Sequence, residues 1–384
     1  MKINVIHFHN GKEGGVFSVI KNLIRSQQSS DVVNHIIYTI REDELFGFIP
    51  PEIANVKSQI VFRFSKNWNF YFTCKKLAKL LPDENSVIVA HDWLELGMVS
   101  VLGLKNPVVQ VMHGDFEYYY NLSRVHNKHI DLFFCVSRVI AEKAYSNKLN
   151  GKIIDWRFPV PTGNLNSINL GELNIAFFVA NLLDDRKNYC VLPKIDQILI
   201  NNNIYVNWYI AGGGLSENEN KRFWPLESLS RVHFFGMLES CHLDEFLVNC
   251  DTMILPSKSE GLPVSVVEAM KRGIVPFIPF WSGAVSDLVI DGKTGFYVHL
   301  NNEFEFAQKI IAYHGDLNLR KQVPLNAKKQ ADKIFNPISS VTKFEEEVVK
   351  LNPKKIIKFR SYGSRLDQFF FPNFIVEFIR RILH

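Results

Sequence analysis

Short apolar runs, each followed by a polar or glycine-bearing turn and then by a helical pattern, recur along this 384-residue chain. Residues 3–8, 35–40, 87–90, 108–112 and 132–136 have the length and branched side chains of buried strands. Helical patterns fall around 94–102 and 139–149, and Val16, Val19, Ile20, Leu23 and Ile24 follow the spacing of one amphipathic helix face. Strands alternating with helices bury both sheet faces only as a parallel sheet wound on both sides. Residues 159–171 then bring Pro, Gly, Asn and Ser without a period. The alternation resumes with strands at 175–180, 206–211, 232–235, 252–255 and 275–279, and helices at 303–313, 317–333 and 339–350. The chain therefore divides into an α/β unit at 1–160, a linker at 161–172, a second α/β unit at 173–350 and a tail at 351–384. Two α/β units of similar size imply a ligand cleft between them, and an apolar content of 47% supplies two cores.

Charge and cysteine content narrow the function. The net charge of +5 is accounted for by residues 353–384, which hold seven Lys/Arg and two Asp/Glu. A body near neutrality is not that of a nucleic-acid binder with a broad basic face. Cys74, Cys135, Cys190, Cys241 and Cys250 are scattered, odd in number and free of C-x-x-C spacing, the pattern of a reduced, cytoplasmic protein without a disulfide framework or zinc site. The opening residues enter a strand-like run rather than a signal-peptide core, and no run of apolar residues is long enough to span a bilayer.

The chemistry-bearing residues fall at turns. In residues 254–276, Glu260 lies in a polar turn and Glu268 inside the following helix, an E-x7-E spacing, with Pro263 at the helix start and Gly273 as its C-terminal cap. Glu260 sits where helix N–H groups favour anions, so it either caps the helix or holds a polar ligand beside a phosphate. Glu268, among Val266, Val267, Ala269 and Met270, either pairs with Lys271 or Arg272 along the helix or binds a ligand with two hydroxyls, such as a ribose. Gly14 and Gly15 follow the first strand, in a phosphate-approach loop or a tight turn needing positive φ. His91 and His113 end two further strands, His113 better placed for a site because Gly114 follows it. Arg186 and Lys187 are cations at the end of the first strand of the second unit, in a phosphate site or a solvated loop.

The order of these motifs resembles the retaining GT-B glycosyltransferases of glycosyltransferase family 4 over residues 1–350. The resemblance rests on SEGLPVSVVEAM, on Gly283 with Asp287, and on Asp291-Gly292-Lys293-Thr294-Gly295, with EGGV at 13–16, His113-Gly114, the RKN of 186–188 and the FFG of 234–236 in matching order. It implies two Rossmann-like domains facing each other across a cleft, the first on the acceptor side and the second binding a nucleotide-diphosphate sugar. Gly14 and Gly15 would approach the donor diphosphate, His113 the transferred sugar, and Lys187 the leaving diphosphate. Glu260 would hold the sugar, Glu268 the ribose hydroxyls, and Gly261, Leu262 and Pro263 the donor pocket. The family's usual Gly-Arg is Ala180-Asn181 here, which leaves Arg186 as a substitute or the leaving group less stabilised. The implied reaction transfers a sugar to a hydroxyl of a glycan or lipid-linked acceptor with retained configuration, in surface polysaccharide, lipopolysaccharide or glycolipid assembly. No cofactor is implied, and the absence of Asp-x-Asp fits a reaction without a metal. The competing readings are a GT-B epimerase or phosphorylase and a non-catalytic GT-B subunit that binds a sugar nucleotide.

Beyond residue 352 the chain departs from that family core. Phe374, Ile375, Phe378, Ile379, Ile382 and Leu383 form one helical stripe, preceded by Lys354, Lys355 and Lys358. Such an end suits the anionic cytoplasmic face of a membrane, or else packs on the first domain.

Overall fold

The computed structural model describes residues 2–83, 85–238, 242–280, 285–354 and 364–383. Cys241, Gly283, Lys355 and Lys358 lie outside the described residues, as does the side chain of Leu383. The chain forms two compact units, Met1–Pro159 with Ile338–His384, and Val160–Pro337.

The first unit runs β1 (Ile3–His9), α1 (Gly15–Arg25), β2 (Val32–Arg41), β3 (Val56–Phe64), α2 (Phe70–Ala78), β4 (Val87–Ala90), α3 (Trp93–Leu102), β5 (Val108–Met112), α4 (Glu117–His126), β6 (Leu132–Cys135), α5 (Arg138–Ser146) and β7 (Lys152–Asp155). Its strands pair in parallel in the order β3-β2-β1-β4-β5-β6-β7. The strand order reverses between β1 and β4, and open sheets bind ligands at the carboxyl ends of strands flanking such a reversal. Helix α1 packs Phe17, Ile20 and Ile24 on Ile36, Tyr38 and Ile40 of β2. Helix α3 starts at Asp92, whose side chain caps it while Glu95 reaches back.

The second unit runs β8 (Leu173–Asn181), α6 (Leu192–Asn201), β9 (Val206–Gly213), α7 (Glu217–Lys221), β10 (Val232–Phe234), α8 (Leu243–Leu247), β11 (Thr252–Ile254), α9 (Val264–Met270), β12 (Val275–Pro279), β13 (Phe296–Val298), α10 (Glu303–Gly315) and α11 (Leu317–Ile334). The parallel order β10-β9-β8-β11-β12-β13 reverses between β8 and β11. Both sheets are thus Rossmann-like and parallel, as the alternation of runs implies.

Two segments differ from the sequence-based division. Helix α12 (Pro337–Val348) packs with the first unit rather than the second. Phe344 lies 5.1 Å from the Phe134 ring, Trp156 donates its indole N–H to the Ser340 carbonyl at 2.9 Å, and Glu345 accepts the N–H groups of Gln28 and Ser29 at 3.1 and 2.9 Å. Residues 161–172 contain no helix or strand but are pinned to the second unit, since Asn166 donates to the Leu247 and Cys250 carbonyls at 2.7 and 2.9 Å.

The tail ends in α13 (Asn373–Leu383), held on the first unit. The apolar stripe expected there faces outward: Phe374, Phe378 and Ile382 are exposed, and the buried contact is Val376. Lys354, expected among the membrane-facing cations, is instead ion-paired with Asp131 at 2.7 Å, with its side chain 16% exposed.

Candidate functional site

Each unit carries a polar site at its strand reversal. In the first, β1 ends at His9 and β4 leads into His91, and a cavity of about 430 Å³ opens there. Gly14 and Gly15 line it, together with His9, His91, Trp93 and Tyr119. Gly14 has φ 153 and ψ −177, a conformation that side chains disfavour, and its carbonyl accepts the Ser18 N–H at 3.0 Å to start α1. The turn explanation of this glycine pair and its place at a cavity wall therefore both hold.

Four histidines gather behind this wall because β1, β4 and β5 are neighbours in the sheet. His91 Nδ1 and His113 Nε2 share a hydrogen bond of 2.8 Å. His7 stacks on His91 at 5.8 Å, and His9 on Phe17 at 4.5 Å. Burial pushes His7 down to about 4 and His113 to about 3, and burial with the nearby His113 and Lys21 takes His9 to about 3. His91 falls well below the ordinary value for the same reason, so the cluster is neutral at physiological pH. Burial also pushes Glu95 up to about 8, where it accepts the N–H groups of His91 and Asp92 at 2.7 Å each. His113 thus reaches the cavity wall through His91, which sequence reasoning had ranked below it. His7 and His9 were missed, although their alternation on one strand puts both on one sheet face. Gly114 has a packing role, since a Cβ there would stand 2.5 Å from the Phe116 ring.

In the second unit, β8 and β11 are neighbours and their following loops meet. Lys187 Nζ lies 2.6 Å from Glu260 Oε1, with side chains 22% and 11% exposed. Lys258 ties the loops twice, its N–H donating to the Arg186 carbonyl at 2.7 Å and its Nζ pairing with Asp185 at 2.7 Å. Asn188, at φ 55, turns the chain and donates to the Pro256 carbonyl at 3.3 Å. The structure therefore joins two predicted residues, Lys187 and Glu260, and adds Lys258, a cation that sequence reasoning passed over in the turn itself.

Arg186 is placed differently from its companion. Its guanidinium is bound to Asp184 at 2.7 Å and its side chain is 60% exposed. Burial opposes ionisation of Asp184, but the Arg186 bonds hold its carboxyl below the usual range. Asn181, in the position of the usual arginine, accepts the Leu183 N–H at 2.9 Å. Its amide leaves no room for a Cβ at Gly214, which would approach Asn181 Oδ1 to within 2.3 Å.

Glu268 is half-buried on α9, between fully buried Val267 and Ala269. Lys271 pairs with Asp332 at 3.4 Å, and Arg272 donates to Asp244 and to the Glu268 carbonyl at 2.7 Å each. Gly261, Leu262 and Pro263 are buried before α9, which begins one residue later than expected, with Pro263 as its N-cap. Gly273 ends the helix at φ 77, beside an Ile274 N–H to Ala269 carbonyl bond of 3.1 Å.

The Asp291–Gly295 run is a structural turn. Asp291 accepts the Tyr297 N–H at 2.8 Å, and Thr294 Oγ1 accepts the Ile290 N–H at 2.8 Å and donates to the Leu288 carbonyl at 3.1 Å. Among the described residues, no group of three or more His, Cys, Asp or Glu converges as metal ligands would.

Two doubly wound parallel sheets, each with a polar site at its strand reversal, are the architecture of the GT-B fold. The fold matches Staphylococcus aureus TarM, solved with Fondaparinux, alpha-GlcNAc-glycerol and UDP (TM-score 0.73, 12% identity, 91% of this chain and 100% of that one). It also matches Anabaena HepE, solved with UDP and glucose (TM-score 0.69, 15% identity, 91% and 100%). In sequence, residues 166–330 match the family glycosyl transferases group 1. An uncharacterized glycosyltransferase of Methanocaldococcus jannaschii is 24% identical over 340 residues, covering 83% of this chain and 90% of the relative. The N,N'-diacetylbacillosaminyl-diphospho-undecaprenol alpha-1,3-N-acetylgalactosaminyltransferase of Campylobacter jejuni is 29% identical over 123 residues, 32% of each chain. Together these matches support a GT-B glycosyltransferase.

Proposed function

We propose that the protein is a retaining glycosyltransferase of family 4, moving a hexose-type sugar from a nucleotide-diphosphate donor to a hydroxyl of a glycan or lipid-linked acceptor. The observation that carries this reading is the Lys187–Glu260 pair at the strand reversal of the second sheet. A leaving diphosphate develops negative charge, and a fixed cation there stabilises the transition state more than the ground state. Lys187 supplies that cation. On donor binding its Glu260 contact gives way, and the freed carboxylate accepts sugar hydroxyls. Glu268 takes the ribose, the Gly14–Gly15 loop approaches the donor diphosphate, and the neutral His113, bonded to His91, serves the transferred sugar. The two carboxylates are ligands rather than a hydrolase acid/base pair. Arg186, held by Asp184, is free to turn to the diphosphate only by breaking that bond.

Assembly of a surface polysaccharide or glycolipid is the setting that fits the Campylobacter relative. The tail adds a contact with the anionic cytoplasmic face of a membrane. Phe374 and Phe378 are exposed on α13, and Lys75 and Lys76 are exposed on α2, whose N-cap Asn69 is bonded to Asn373 at the start of α13. The test is a panel of UDP-, GDP- and ADP-sugars with glycan and lipid-linked acceptors, with the product anomer assigned by NMR. Product of retained configuration supports the reading; an inverted product or an epimerised donor overturns it. Tight nucleotide-sugar binding without turnover would establish the binding-subunit alternative. Phe374→Asp with Phe378→Asp should abolish sedimentation with anionic vesicles and leave the melting temperature unchanged; undiminished sedimentation refutes the membrane contact.

A further inference from the structure

His9 ends β1 and is only 6% exposed, with its ring stacked on Phe17 at 4.5 Å and set edge-on to Tyr38 at 6.4 Å. These contacts hold the plane of the imidazole, so its two nitrogens point in fixed directions. Gly11 donates its N–H to Nδ1 at 3.1 Å. A backbone N–H can only donate, so Nδ1 accepts and carries no proton. A neutral imidazole then holds its one proton on Nε2. The neutral form is secured twice over. A second proton would set two donors against each other at Gly11, and burial, with His113 and Lys21 nearby, already pushes the ring down to about 3. Nε2 has no partner among the described residues, and the ring lines the glycine-loop cavity. His9 therefore presents that cavity with a hydrogen-bond donor that has no lone pair to take a proton.

The corner of the cavity beside it donates as well. Helix α1 starts on Gly14, which has no side chain to cap it, and no acidic residue stands in its first turn. Gly15, Val16 and Phe17 line the same cavity, and their N–H groups are among those that a helix start leaves unpaired. The carboxylates of the cavity wall already have partners. Glu13 pairs with Lys21 at 3.1 Å and Glu44 with Lys12 at 3.0 Å. Asp92 accepts the Trp93 N–H at 2.9 Å and the Tyr118 hydroxyl. What remains open is a group of N–H donors at a helix N-terminus with a buried imidazole N–H beside them. Such a set is best matched by an anionic group with several oxygen lone pairs and no proton of its own, which is the chemistry of a phosphate.

Resting on the glycosyltransferase reading above, we propose that His9 is a further diphosphate-binding residue, its Nε2–H donating to a phosphate oxygen of the nucleoside diphosphate that the Gly14–Gly15 loop approaches. Its role is that of a fixed neutral donor, and it takes no proton from the acceptor hydroxyl. Gly11 is the positioning residue, since its N–H decides which nitrogen of His9 carries the proton.

The test uses the full chain, isotope-labelled at its histidine nitrogens, whose NMR signals report the tautomer of each ring; His9→Gln identifies the His9 signals. His9 should carry its proton on Nε2. That proton should move downfield when UDP, GDP or ADP saturates the protein, and stay in place with the methyl glycosides of glucose, galactose and N-acetylglucosamine. Two replacements separate the two edges of the ring. His9→Asn keeps an acceptor for Gly11 where Nδ1 stood and loses the donor to the cavity, whereas His9→Gln keeps an N–H where Nε2 stood and loses the acceptor. Diphosphate affinity by calorimetry should fall about tenfold or more in His9→Asn and about threefold or less in His9→Gln, with the lower melting temperature in His9→Gln. A proton on Nδ1, equal affinity losses in the two variants, or an Nε2 proton unmoved by all three diphosphates overturns the proposal. Movement with a glycoside alone overturns it too, because the partner is then a sugar hydroxyl. Binding is scored without turnover, so a protein that holds diphosphate through His9 and transfers no sugar refutes the glycosyltransferase reading and leaves the His9 assignment standing.

Discussion

Replacing Lys187 with alanine separates a catalytic cation from a structural one. In the free protein its Nζ contacts Glu260 at 2.6 Å, with both side chains partly reached by solvent. A pair of that kind contributes on the order of 1 kcal/mol to stability, because screening and lost side-chain entropy offset the attraction. For a protein of this size that corresponds to a melting shift of only about 2–4 °C. Against a leaving phosphate about 4 Å away, at an effective dielectric near 20, the same charge is worth roughly 4 kcal/mol. Removing it should lower kcat about 10²- to 10³-fold. The assay is initial-rate release of nucleoside diphosphate at saturating donor, beside a thermal melt. Arg186→Ala is the matched control: its 60% exposed side chain is held by Asp184, and its loss should cost about tenfold or less. A kcat within about threefold of wild type in Lys187→Ala, or an equal loss in Arg186→Ala, refutes the assignment.

Three further outcomes follow from packing and charge. Gly295→Ala should destabilise the second unit by about 1–3 kcal/mol in urea unfolding, because a Cβ would stand 2.7 Å from Pro276 Cγ and 2.9 Å from its carbonyl oxygen; an unchanged midpoint would show that β12 yields. His7 titrates near 4 when folded, against an ordinary 6.5, so below pH 6.5 the unfolded chain takes up a proton that the native state refuses, and stability falls until about pH 4. Between pH 7 and pH 5 that is roughly 2 kcal/mol, and His7→Gln should flatten the decline by about this amount, whereas an undiminished decline would place the acid sensitivity elsewhere. Asp367→Ala should release the tail, seen as faster proteolysis after α12, because it leaves Arg380 and the Phe70 N–H without their acceptor; cleavage at the wild-type rate would show that Asn69 and Val376 suffice.

The sequence made legible whatever was periodic or local. Strands β4 and β5 were placed to the residue because short apolar runs between turns, broken in β5 only by Gln110, have one reading. Strand β3 was missed because Lys57, Ser58 and Gln59 interrupt its pattern, and α4 because three successive tyrosines have no helical period. The Lys187–Glu260 site was foreseeable from loop positions, since both follow strands that a doubly wound order makes neighbours. The histidine cluster was not, because residues 7, 9, 91 and 113 converge only through the pairing of β1, β4 and β5. The placement of α12 was equally hidden. Its apolar face says that it packs, and Trp156, Phe134 and the Gln28 and Ser29 N–H groups bound by Glu345 say where.

Helix α12 makes the first unit discontinuous in sequence. On the ribosome, residues 1–159 emerge without Phe344 to cover Phe134 and Trp156, and they wait while the whole of the second unit is translated. The second unit is continuous and free to fold first. Completion of the first unit therefore follows synthesis of the second.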